Sequence, residues 1–154
     1  MTRHRYMVQL EQLRELQKVK RSFMEQAQAT LDSTVRELQE CVGHIGEIEA
    51  GVNSTLRHAR ATIRPGETIR LELRNLMQTG FRDETIILER AREKLDSLRV
   101  SMMRARTQYV SAVAEVNVLG EAVSVARRQS ERMMDRYRQD VIEDLLSGRK
   151  REDI

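Results

Sequence analysis

Between Leu88 and Tyr137 apolar residues recur every seventh position in two interleaved registers, so that the spacing alternates strictly between three and four. One register reads Leu88, Leu95, Met102, Tyr109, Val116, Val123, Ser130 and Tyr137. The other reads Ala91, Leu98, Ala105, Ala112, Leu119, Ala126, Met133 and Asp140, and only Ser130 and Asp140 are polar. A seven-residue repeat held this long keeps a narrow apolar seam turned toward a partner helix, whereas a globular helix with a 3.6-residue period needs a broader stripe and drifts out of step. The segment therefore predicts a long coiled-coil helix.

Composition points the same way. With aromatic residues at 3% and charged residues at 33% of 154 positions, the chain lacks the bulky side chains that fill a compact globular core. There is no tryptophan and one proline, and the commonest residues are strong helix formers. Helix is expected nearly throughout, and the fold class expected is an all-α, two-helix antiparallel coiled-coil hairpin forming a single domain over residues 1–154.

The partner helix is sought upstream. An apolar series runs through Leu10, Leu13, Leu16, Val19, Phe23, Ala27, Leu31, Val35, Leu38, Val42, Ile45, Ile48, Val52 and Leu56, again in threes and fours but less regularly. It predicts a first helix over about 5–61. Arg64-Pro65-Gly66-Glu67 holds the chain's single Pro-Gly pair; proline disfavours helix at Arg64 and glycine permits the reversal, so the turn is expected at about 62–67. The second helix is expected over about 68–147, with Thr68 as its N-cap, Gly148 at its end and a short charged tail at 148–154. At 1.5 Å per residue the helices would be about 85 and about 120 Å long. Both termini would share one end, with the second helix overhanging. Gly43, Gly46 and Gly51 mark a section expected to bend or to permit close helix approach, and Gln78-Thr79-Gly80-Phe81 is expected to interrupt the repeat.

The residues argue for surface rather than chemistry. His4, His44 and His58 have no partners at metal-ligand spacing, Glu47 and Glu49 do not share a helix face, and there is no glycine-rich phosphate loop. Cys41 is read as a packing residue beside the seam. The net charge of +3 is spread without a basic face or interleaved aromatics, which argues against nucleic acid as a partner. No N-terminal run of signal-peptide length and no stretch of roughly 20 apolar residues stands out, so a cytoplasmic protein without membrane insertion is expected. At the open end, Val8, Leu10, Val141, Ile142, Leu145 and Leu146 exceed what a two-helix seam covers, and they lie near Arg3, Arg5, Arg14, Lys18 and Arg136. Such an amphipathic end suits insertion into a ring or groove.

In length, in its two-helix layout and in its C-terminal stretch, the chain resembles the stalk proteins of type III secretion and flagellar export. The stretch comprises Val116-Asn117-Val118-Leu119-Gly120-Glu121-Ala122, Arg127-Arg128-Gln129-Ser130-Glu131-Arg132 and Asp140-Val141-Ile142-Glu143-Asp144-Leu145-Leu146-Ser147-Gly148-Arg149-Lys150. The resemblance implies a non-enzymatic bacterial protein without a cofactor, peripherally associated with the inner-membrane secretion apparatus. Its joined termini would engage a hexameric export ATPase, its distal part would contact the membrane export gate, and secretion chaperones are further partners of some members. On that resemblance the ATPase-facing candidates are Arg3, Arg5, Val8, Leu10, Arg14, Lys18, Arg136, Val141, Ile142, Leu145 and Leu146. The gate-facing candidates are Ile45, Ile48, Leu73, Met77 and Phe81, in a region where the family's aromatic residues are largely missing. A helical chaperone or scaffold and a self-assembling coiled coil remain the competing readings.

Overall fold

A computed structural model describes residues 2–62 and 71–152, with side chains described for residues 4–61, 71 and 74–149. It is all helix: α1 spans Thr2–Thr62 and α2 spans Leu71–Glu152, packed against each other as a helical hairpin. The expected Pro65-Gly66 turn and the Thr68 cap lie outside the described residues. Both helices contribute to each of two compact units, one formed by residues 1–28 and 108–154 and the other by residues 29–107.

The second unit holds the tightest packing. Cys41, Ile45 and Ala91 are buried together, with Ile48, Leu88, Leu95 and Leu98 against them, and Ala105 is buried further along α2. Alanine at 91 and 105 leaves room for the larger side chains of the facing helix, so large and small residues interdigitate across the seam. The Cys41 thiol donates to the Ala91 carbonyl oxygen at 3.6 Å, and Arg92 pairs with Glu49 across the helices at 3.3 Å.

The repeat of α2 is borne out from Leu88 to Met133, where every position of both registers is buried or half-buried. It extends further upstream than expected. Met77, Phe81 and Glu84 are half-buried at the same alternation of four and three, so Gln78-Thr79-Gly80-Phe81 does not interrupt the inward face. It also ends sooner, since Tyr137 is 56% exposed and Asp140 is exposed. Gly148 does not stop α2, which continues as helix to Glu152 through the segment read as a tail.

α1 differs more. Its inward residues include Leu10, Leu13, Gln17, Lys20, Met24, Ala27, Leu31, Thr34, Val35, Leu38, Cys41, Ile45, Ile48, Val52 and Leu56, while Leu16, Val19, Phe23 and Val42 are exposed. The expected series took three successive steps of three, from Leu10 through Leu13 and Leu16 to Val19, which carries a stripe about 180° around a helix of 3.6 residues per turn. A seam pressed against one partner cannot turn that far. It holds its phase and accepts Gln17 and Lys20 at positions where the apolar neighbours Leu16 and Val19 point outward. Cys41 is accordingly in the seam, 7% exposed, and not beside it. Gly43, Gly46 and Gly51 sit on the outer face of an unbroken helix, with nothing within 4 Å of where a Cβ would stand, so they do not serve close approach.

Candidate functional site

In the unit of residues 1–28 and 108–154, α1 and α2 run antiparallel. Gln17 lies beside Gly120, and the Lys20 ammonium meets the Glu115 carboxylate at 2.9 Å. Among the described side chains of α2 the last half-buried one is Met134, and every residue from Asp135 to Arg149 is exposed. A single helix therefore continues where α1 gives no further cover. Its apolar side chains Val141, Ile142, Leu145 and Leu146 fall within about 140° of the helix circumference at 100° per residue. Leu145, the most exposed of them at 67%, is the kind of residue that a solitary solvated helix does not need.

Among the expected ATPase-facing residues, Val141, Ile142, Leu145, Leu146 and Arg136 lie on this overhang. Arg5, Val8, Arg14 and Lys18 are exposed on α1, and Lys18 pairs locally with Glu15 at 3.0 Å. Leu10 is half-buried in the seam, and the side chain of Arg3 is outside the described residues. The expected gate-facing residues sit in the other unit. Ile45 and Ile48 belong to its core, Met77 and Phe81 are half-buried, and the side chain of Leu73 is outside the described residues.

Surface grooves of that second unit include two between the helices. The larger, about 580 Å³, has Glu37, Glu40 and His44 on α1 facing Arg90 and Lys94 on α2, with Cys41 and Ala91 at its floor. The smaller, about 230 Å³, is lined by Thr55, Leu76, Met77, Gly80, Phe81 and Glu84. Glu84 holds an inward seam position, and its Oε2 is buried without a hydrogen-bond partner. Sequence reading missed it because the repeat was followed only from Leu88 onward and an acidic residue before it reads as part of a solvated face. Among the described residues no group of three or more His, Cys, Asp or Glu side chains could hold a metal ion.

The expectation that no stretch approaches a membrane span in apolar length is not met by α2. By length and composition α2 is long and apolar enough to cross a membrane. From Tyr109 to Ala126 the only charges are Glu115 and Glu121, and small and branched residues fill the rest. The inward residues of this stretch are half-buried against α1.

Comparison with protein-family models, curated proteins and solved structures returned no match.

Proposed function

We propose that this chain is a non-enzymatic stalk of a type III secretion or flagellar export apparatus, whose overhanging helix engages a hexameric export ATPase. The observation that carries this reading is the exposed apolar face of Val141, Ile142, Leu145 and Leu146 on α2 beyond Met134, an amphipathic helix in the same unit as the first turns of α1. A helix of this kind binds by laying its apolar face into a groove, and a ring of subunits offers such a groove at its centre. The paired helices behind it would carry displacement from the ATPase toward a membrane export gate. The shaft would bias the ring by contacting its states unequally. The reaction would belong to the ATPase, and this chain would contribute no catalytic group and no cofactor. A cytoplasmic site at the inner membrane, and secretion chaperones as further partners, belong to the same proposal.

The test uses the full chain with Leu145 and Leu146 both replaced by Asp. Circular dichroism should stay helical while stimulation of the ATPase is lost; full stimulation by the helical variant would overturn the proposal. The competing reading, an interaction protein that acts through the side of its coil, draws on a different surface.

A further inference from the structure

That second surface lies on one flank of the unit formed by residues 1–28 and 108–154. On α1 the residues one position before each inward residue, from Gln9 to Gln26, share a side of the helix, and the equivalent residues on α2 run from Gln108 to Val125. In an antiparallel pair these two sides adjoin, and one contact fixes them together here. The Lys20 ammonium sits 2.9 Å from the Glu115 carboxylate and 5.9 Å from the centre of the Phe23 ring, so Phe23 of α1 and Glu115 of α2 border the same flank.

The flank is apolar where a soluble helix pair should be charged. Leu16, Val19 and Phe23 line it from α1, and Val118, Ala122 and Val125 from α2; Phe23 is 54% and Val118 65% exposed. Glu115 is its one charge, and it is already paired with Lys20. The opposite side of α1 over the same length carries Glu11, Arg14, Lys18, Arg21 and Glu25. In a chain with 33% charged residues, such a contrast between two sides of one helix is what a buried face produces.

We infer that this flank seats a second copy of the chain, giving a two-fold dimer in which two helix pairs form a four-helix bundle. A two-fold interface sets each patch against itself, so residues near the axis meet their own copies. A charged rim would repel its copy. An amide donates and accepts at once, and the uncharged edges carry Gln9, Gln12 and Gln108. The area is adequate: about 27 Å of two helices side by side, about 18 Å across, gives roughly 1,000 Å² over both copies, the size at which a specific interface begins. The overhang beyond Met134 stays outside the bundle, so this inference goes beyond the proposed function and does not depend on it.

Sedimentation velocity of the full chain across a thousand-fold concentration range tests it. The mass should rise from the 18.0 kDa of one chain to twice that value. Val19→Glu with Val118→Glu should give a helical species that stays monomeric at concentrations where the parent is dimeric, and the milder Val19→Gln with Val118→Gln should raise the dissociation constant at least tenfold. Leu145→Asp with Leu146→Asp should leave the dimer intact. A parent chain that remains monomeric throughout, a trimer or larger assembly, or a dimer lost only when Leu145 and Leu146 are changed would overturn the inference.

Discussion

Lys20 of α1 reaches Glu115 of α2 at 2.9 Å from a position that turns inward, so one of the seam's own residues is a cation paired across the helices. The pair is partly solvated, with 35% of the lysine and 52% of the glutamate side chain exposed, which puts its net worth at about 0.5 kcal/mol. Its effect on specificity is larger. Any register that brings Lys20 against an apolar neighbour instead of Glu115 strands a charge, so the pair selects among registers. Lys20→Glu should therefore destabilise the hairpin by about 1 kcal/mol, and adding Glu115→Lys should recover about half of that. A double-mutant cycle by urea denaturation at low and high salt measures it, and a coupling that does not fall with salt would contradict the assignment.

The two apolar series of α1 differ at adjacent residues, which makes them separable. Ile45 belongs to the buried cluster, and Ile45→Ala should cost about 2 to 3 kcal/mol. Val42 points outward, and Val42→Ala should change stability by less than about 0.5 kcal/mol. Equal losses at the two positions would mean that the seam runs differently.

Gly43, Gly46 and Gly51 stand in a helix with open space at each missing Cβ. Replacing each with Ala should stabilise by up to about 1 kcal/mol, because alanine restricts the unfolded chain and meets no neighbour in the folded one. Thermal melts followed at 222 nm should rise with each substitution. A fall in any of them would reveal a role for that glycine in helix approach.

Glu84 places a carboxylate oxygen in the seam without a partner. An unsatisfied buried polar atom costs about 1 to 3 kcal/mol, and an apolar residue of similar size would remove that cost while filling the groove beside Met77 and Phe81. Glu84→Leu should raise the urea midpoint without changing the slope. A lowered midpoint would show that the carboxylate is satisfied in solution.

The sequence alone determined that this chain is helical, that α2 carries the straighter seam, and that the hairpin leaves apolar residues beyond it near the C-terminus. Those features are local: the period of seven from Leu88 to Met133 fixes one face of α2 whatever lies opposite, because no competing stripe of that length exists on it. In α1 two stripes compete, one through Leu16, Val19 and Phe23 and another through Gln17, Lys20 and Met24, and by side chain alone the first is the more apolar. Only the tertiary structure decided between them. Within the unit of residues 1–28 and 108–154, Gln17 lies against Gly120 and Lys20 pairs with Glu115, so the second stripe meets α2 and the better apolar stripe is left facing outward.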